Sequence, residues 1–256
     1  MKIVVCKDKI QLGEEAAKLV AAEVKRCIAE KGNCRIVFST GASQFDTFNA
    51  LLKADIDWSK VDMFHLDEYL DMPETHPASF RKYLKERFTN HIKLHSVNFV
   101  DGTREGIASI SAALTAAPID IGLIGIGENA HIAFNDPPAN FDVEDPYIIV
   151  KLNDTCKKQQ AGEGWFATPD DVPSEAISMS VKQILKCKKI ISCVPYAVKA
   201  NAIKMTIENS TTNMIPATIM KEHPDFTLLL DKDSASLINK EMAEKDCPTL
   251  ESYTEL

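Results

Sequence analysis

A histidine and a carboxylate at short spacing, His131 and Asp136, are the first candidates for chemistry in this sequence. Both follow an apolar run, Ile119–Ile126, which has the length of a strand buried on both faces. A carboxylate near an imidazole fixes its tautomer and raises its basicity, so the pair predicts general acid–base catalysis. The alternative is a solvated loop in which His131 only caps a neighbouring element.

A second acidic group follows another apolar run. Val61–Leu66 is predicted to form a strand, and Asp67 and Glu68 stand at its end. Carboxylates at the end of a buried strand are badly placed for packing and well placed for catalysis. We expect Glu68 to raise the pKa of Asp67, because a neighbouring carboxylate disfavours a second negative charge. A helix-capping role for one of the two is the alternative.

A turn of small residues at positions 40–43 predicts a phosphate site. It joins a predicted strand, Arg35–Ser39, to a predicted helix, Gln44–Lys53, and such a turn presents amide and hydroxyl donors to an anion. A lysine near the start of a later predicted helix, Ala197–Glu208, opposes the helix dipole, and anion binding explains its position. The residues of this predicted site are Ser39, Thr40, Gly41, Ala42, Ser43 and Lys199. The alternatives are that the serine only caps its helix and that the lysine points into water.

Alternating strands and helices position these groups. The predicted strands are Lys2–Cys6, Arg35–Ser39, Val61–Leu66, Val97–Val100, Ile119–Ile126, Tyr147–Leu152, Lys189–Val194 and Thr227–Leu230. The predicted helices are Lys9–Lys31, Gln44–Lys53, Ser79–Phe88, Arg104–Thr115 and Ala197–Glu208. This order alone predicts an α/β protein with three α/β/α layers and a mostly parallel sheet. Open sheets of this kind place their sites at the carboxyl ends of the strands, where the candidates above lie.

Two segments lie outside this alternation. The polar segment 151–175 is predicted to form a lid, because its Trp165 follows two nearby glycines; a packed surface loop is the alternative. The tail from Lys240 is acidic and polar, and we expect it to be helical and then frayed.

Length and composition narrow the class of protein. At 256 residues, one large α/β domain over 1–256 is expected. A net charge of −8 and the lack of a long basic cluster argue against nucleic-acid binding. No apolar run approaches membrane length, so neither a transmembrane segment nor a signal peptide is expected. Seven scattered cysteines without metal-binding spacing predict reduced thiols, a cytoplasmic location and no metal site.

Four segments together resemble the glucosamine-6-phosphate deaminase/isomerase family, whose superfamily includes 6-phosphogluconolactonase. They are FSTGAS, FHLDEY followed by LDMPETHPASF, GIGENAHIAFNDPP and PYAVKA, in the family's order and spacing. The resemblance covers roughly residues 1–236. It implies a modified Rossmann-like sheet, a sugar phosphate as ligand and no metal or organic cofactor, and it leaves a homo-oligomer open.

The resemblance also implies an activity and a role for each matching residue. The reaction would convert glucosamine 6-phosphate and water to fructose 6-phosphate and ammonia. Asp67 would move a proton between C1 and C2 of the opened sugar, while His131, supported by Asp136, would assist ring opening. The turn at 40–43 and Lys199 would hold the phosphate. The other residues assigned to the substrate site are Glu68 and Gly127.

The chain departs from the family pattern at three places. Asn129 replaces an Asp, and an amide cannot relay a proton, although one acid–base group is typically worth about 10²–10⁴ in rate. Asp136 replaces a closing Glu and is one methylene shorter. In the lid, Lys157, Lys158, Gln159 and Gln160 stand where the family often supplies a phosphate-binding Arg, and Lys offers only a point charge.

These departures keep other activities open. A catalytically weakened regulatory protein that binds a sugar phosphate is supported by Asn129, which we count among the candidate catalytic residues. An isomerase of a related sugar phosphate also fits the four segments. A lactone hydrolase is disfavoured, because that branch typically reads DGHTASLFP where this chain has HIAFNDPP.

Overall fold

Strands and helices alternate along the chain in the computed structural model, which describes residues 1–256. The strands are β1 Lys2–Cys6, β2 Cys34–Phe38, β3 Val61–His65, β4 Asp67–Tyr69, β5 Ser96–Asn98, β6 Ile121–Leu123, β7 Tyr147–Lys151, β8 Glu175–Met179, β9 Lys189–Val194, β10 Phe226–Asp231 and β11 Ser252–Glu255. The α-helices are α1 Lys9–Lys31, α2 Phe45–Leu51, α3 Phe80–Arg87, α4 Gly106–Thr115, α5 Asp154–Gly162, α6 Val181–Leu185, α7 Ala200–Glu208 and α8 Lys240–Asp246. No helix combines the length and the apolar character that crossing a membrane requires.

Eight strands form one sheet in the order β11-β1-β10-β9-β6-β2-β3-β5, and every pairing in it is parallel. All five residues of β2 are buried, as expected for a strand covered on both faces. Its successive side chains alternate between two apolar cores: Val37 joins one, whereas Ile36 and Phe38 join the other. The predicted three-layer α/β/α architecture with a mostly parallel, Rossmann-like sheet is therefore confirmed.

Helix α1 shows how the local sequence sets these elements. Its first turn is capped by Asp8, whose carboxylate accepts from the N–H of Gln11 at 2.8 Å. It ends at Gly32, which has a φ of 86° and donates its N–H to the carbonyl of Ile28. The face toward the sheet carries Leu12, Ala16, Val20, Val24 and Cys27, all buried. This apolar stripe anchors the longest helix on one face of the sheet.

A second, antiparallel sheet, which the sequence pattern does not predict, has the order β4-β8-β7. It begins directly after β3, so Asp67 leaves the main sheet and pairs with Ser178 of β8. The segment between β7 and β8 contains the predicted lid. The C-terminal end of that segment leads into β8, which pairs with the strand that carries Asp67, and its N-terminal end follows β7 on the other side of β8.

Three predictions about individual segments need correction. The first half of the predicted lid is not loop: Asn153 caps α5 by accepting from the N–H of Cys156 at 2.9 Å. The C-terminal tail does not fray after α8. Instead β11 extends the main sheet by pairing with β1. Of the apolar run Ile119–Ile126, only β6 forms sheet ladder pairs, although the whole run is buried or half-buried.

Candidate active site

A cavity of about 140 Å³ opens at the carboxyl ends of the parallel strands. The structure brings most of the predicted site residues to it: Ser39, Thr40, Gly41, Ala42, Ser43, Asp67, Gly127, His131 and Lys199. Three predicted site residues do not line it. They are Glu68, Asn129 and Asp136, and each contacts a neighbour of the cavity instead.

The turn after β2 presents free donors to this cavity. Gly41 has a φ of 101°, a conformation that favours glycine, and its carbonyl accepts from the hydroxyl of Tyr83 at 2.8 Å. The N–H groups of Thr40 and Gly41 donate to no other group in the chain. The hydroxyl of Ser39 is buried and also lacks a partner. Unpaired donors of this kind, one buried and two half-buried, suit an anionic ligand.

Lys199 reaches the same cavity from a short 3-10 turn before α7. This turn follows Tyr196, whose φ of 84° is held by hydrogen bonds from its N–H to both oxygens of Asp231. Lys199 is only 6% exposed and has no carboxylate within 4.0 Å of its ammonium group. Burial lowers the pKa of Lys199, while the carboxylates of Glu163 and Glu128 act in the opposite direction.

Asp67 supplies the cavity with a carboxyl group that titrates near neutrality. It is 5% exposed, and its carboxylate accepts no hydrogen bond from the protein. Burial, followed by the charge of Glu68, raises the pKa of Asp67 to about 8. The direction predicted from the sequence agrees with this shift, but desolvation is its larger cause. A carboxyl group with such a pKa can both accept and donate a proton near neutral pH.

Glu68 points away from the cavity and holds the start of α3. Its oxygens accept from the hydroxyl of Ser79 at 2.9 Å and from the N–H groups of Phe80 and Arg81 at 3.1 and 2.9 Å. The guanidinium of Arg81 also contacts it at 3.1 Å. Glu68 is fully buried, and burial raises its pKa while these donors oppose that rise. Glu68 therefore does not line the cavity, and its contacts are with the start of α3.

His131 and Asp136 are neighbours, as their spacing predicts. Nδ1 of His131 lies 3.1 Å from Oδ1 of Asp136, without the alignment of a hydrogen bond. Burial favours the protonated form of Asp136, but His131, together with donors from Asn129 and Cys156, keeps its pKa below the ordinary value. Asp136 is thus an anionic support behind an imidazole that lines the cavity.

Gly127 allows His131 to take this position. A Cβ atom at Gly127 would lie 2.3–2.5 Å from three atoms of the imidazole ring. The N–H of Gly127 also donates to the carbonyl of His131 at 2.9 Å. The glycine is therefore required by the close approach of the ring to the backbone that follows β6.

The lid segment covers the cavity with side chains that sequence reasoning did not single out as ligands. Gln159, Gln160 and Glu163 line the cavity from α5 and the residue after it, whereas Lys157 and Lys158 do not. Gln160 accepts from the hydroxyl of Tyr69 at 2.7 Å. These three residues have the spacing i, i+1 and i+4, which places them on one side of a helix. That spacing would have indicated a shared face if this segment had been assigned as helical from the sequence.

One cluster of side chains that could hold a metal ion lies at the opposite end of the sheet from the cavity. Cys27, Cys34 and Asp120 are buried, and their ligand atoms lie within 4.8 Å of one another. Asp120 is already paired with Lys31 at 2.7 Å and with Lys188 at 3.2 Å. Burial raises the pKa of the Cys34 thiol, so this cluster has the properties of a packed structural group.

Comparison with known proteins agrees with this geometry. The family model described as glucosamine-6-phosphate isomerases/6-phosphogluconolactonase matches residues 7–228. A glucosamine-6-phosphate deaminase of Thermoanaerobacter pseudethanolicus is 34% identical over 239 residues, which cover 89% of this chain and 93% of the relative. The glucosamine-6-phosphate deaminase of Clostridium acetobutylicum is 33% identical over 250 residues, covering 93% and 100% of the two chains.

A solved structure of a glucosamine-6-phosphate deaminase also matches this chain. A monomeric glucosamine-6-phosphate deaminase superposes with a TM-score of 0.84 at 27% identity, covering 93% of this chain and all of that one. The family model and these relatives span most of the sequence. The chain belongs to the family of glucosamine-6-phosphate isomerases and 6-phosphogluconolactonases.

Proposed function

We propose that the protein is a deaminating aldose–ketose isomerase that converts glucosamine 6-phosphate and water to fructose 6-phosphate and ammonia. The observation that carries the proposal is the buried carboxyl of Asp67, with a pKa of about 8, in one cavity with a phosphate-binding turn. The deaminases named among its relatives support the same reaction.

The phosphate group binds at the turn of residues 40–43. The unpaired N–H groups of Thr40 and Gly41 and the buried hydroxyl of Ser39 are its donors. Lys199 supplies the positive charge, and its burial strengthens the attraction because little water screens it. This end of the cavity fixes the sugar so that its C1 and C2 atoms extend toward Asp67.

Ring opening precedes proton transfer. His131 lines the cavity and exchanges a proton with the ring oxygen or the C1 hydroxyl, while Asp136 stabilises the imidazolium that forms. Asp67 then removes the C2 proton of the open aldehyde and returns a proton to C1, while the aldehyde oxygen gains the proton that the amino group loses. This shift leaves an imine at C2, which water hydrolyses to the ketone with release of ammonia.

A catalytically weakened protein that binds a sugar phosphate is the second candidate, and Asn129 is the observation that favours it. A related sugar phosphate as the isomerised substrate is a further alternative to glucosamine 6-phosphate. We also infer that residues 1–256 act as one cytoplasmic domain in which the segment 151–175 serves as lid. The seven buried, unpaired cysteines support a reducing compartment.

A panel of amino-sugar 6-phosphates tests the proposal. Each compound is incubated with the pure protein, and released ammonium is measured alongside a reaction without protein. Ammonium from glucosamine 6-phosphate supports deamination. Tight binding of the panel without ammonium release points to the regulatory protein, and formation of a ketose without ammonium points to the related isomerase.

A further inference from the structure

A fixed carboxylate lies in the roof of the cavity. Glu163 follows α5, and its Oε1 accepts from Nε2 of Gln159 at 2.9 Å, while its Oε2 accepts from Nε1 of Trp165 at 3.2 Å. The other end of the Gln159 amide accepts from the N–H of Glu128 at 3.2 Å. Two donors therefore hold the carboxylate in one orientation.

Glu163 also belongs to the anion-binding end of the cavity. The ring of Trp165, which donates to Glu163, stands edge-on to the ring of Tyr83 with centroids 6.4 Å apart. Tyr83 in turn donates to the carbonyl of Gly41 in the phosphate turn. Glu163 and Lys199 line the same cavity, although they are more than 4.0 Å apart and form no ion pair. Without a ligand, the charges of Glu163 and then of Glu128, which also lines the cavity, act on this lysine.

We propose that Glu163, in the lid, acts as an internal counter-ion to Lys199 and competes with the phosphate group of the ligand. The proposal rests on the proposed function, which supplies phosphate as the ligand. A phosphate at the turn meets a like charge held above it, and like charges in a partly buried cavity repel each other. Glu163 thereby weakens phosphate binding and favours release of the phosphorylated product.

Titration calorimetry with inorganic phosphate tests this inference on the full chain. Glu163→Gln removes the charge and keeps a side chain of the same shape, so phosphate should bind about 3- to 10-fold more tightly than to the unchanged protein. Glu163→Asp keeps the charge and should bind phosphate with nearly the affinity of the unchanged protein. Glu241→Gln, at an exposed position in α8, is the matched control for net charge and should not change the affinity.

The outcomes separate this inference from the function on which it rests. Unchanged or weaker phosphate binding by Glu163→Gln, when the unchanged protein binds phosphate, overturns the counter-ion role and leaves the proposed function standing. If the unchanged protein binds no phosphate, both the phosphate site and this inference are wrong. Equal tightening in Glu241→Gln would assign the effect to net charge and also overturn the inference.

Discussion

The side-chain amide of Asn129 donates to Oδ1 of Asp136 at 3.1 Å, and its carbonyl oxygen accepts from the N–H of His131 at 3.1 Å. The amide therefore holds both members of the acid–base pair at once. An amide does this without adding charge, because it offers a donor and an acceptor on one planar group. This geometry predicts that Asn129 positions the pair rather than relaying a proton.

Asn129→Asp should lower kcat, by on the order of tenfold, rather than restore a missing relay. The new carboxylate would face Asp136 at about the distance of the present hydrogen bond, and two like charges so close cannot both stay ionised. Steady-state kinetics with glucosamine 6-phosphate measure the change. Asn90→Asp, which adds the same charge at an exposed site, should leave kcat unchanged.

The same variant should also lose stability as the pH rises. A repelling carboxylate pair has a folded-state pKa above its unfolded value, so its penalty grows above about pH 4. The melting temperature of Asn129→Asp should therefore fall further below that of the unchanged protein at about pH 8 than at about pH 5. A kcat above that of the unchanged protein, with equal stability at both pH values, would instead support a relay through two carboxylates.

The Asp67 carboxyl should make both activity and stability depend on pH. Its pKa of about 8 lies above the ordinary value, so the folded state binds the proton more tightly and stability falls as the pH rises from about 4 to about 8. Asp67→Asn removes this ionisation. We expect its melting temperature to exceed that of the unchanged protein at about pH 9, by more than at about pH 5. A difference independent of pH would mean that Asp67 titrates in its ordinary range.

Lys199→Met should raise KM for a phosphorylated sugar at least about tenfold and change kcat much less, because the lysine binds a group that does not react. Steady-state kinetics give the two constants separately. Lys158→Met, at an exposed lid position that does not line the cavity, is the matched control and should leave KM unchanged. An unchanged KM in Lys199→Met would remove this lysine from the phosphate site.

Glu68→Gln should lower the free energy of unfolding by about 3–5 kcal/mol, because it breaks a buried ion pair with Arg81 and leaves two N–H groups poorly matched. Urea titration measures the loss. Glu74→Gln breaks an exposed pair with Lys85 and should cost less than about 1 kcal/mol. Equal stability of the two variants, with a raised KM only in Glu68→Gln, would return Glu68 to the substrate site.

Sequence pattern predicts those parts of the fold that depend on local periodicity. The buried strand β2 and the turn after it, which ends at Ser43, follow from an apolar run next to small residues. The role of Glu68 could not be predicted in the same way. Sequence pattern does not show which way the Glu68 side chain points, and that direction makes Arg81 its partner. Strand β11 is polar and lies at an edge, so it has no alternating apolar pattern that would indicate it.

The lid shows a second limit of sequence reasoning. Gln159 and Glu163 line the cavity only because α5 lies over the strand ends. The sequence does not indicate this helix clearly, because the segment contains several glycines and polar residues. Asn129 shows a third. The pattern reveals that an amide replaces a carboxylate, but only the distance to Asp136 shows that the amide is bound on both sides.

Turnover of glucosamine 6-phosphate in D₂O, followed by NMR and an ammonium assay, tests the central claim most directly. The unchanged protein should form fructose 6-phosphate and ammonium one for one, with deuterium from the solvent at C1. Asp67→Asn should give neither product nor deuterium incorporation while still binding inorganic phosphate in calorimetry. Full exchange and ammonium release by Asp67→Asn, or no ammonium from the unchanged protein, would contradict the assignment of Asp67 as the proton-transferring carboxyl of a deaminase.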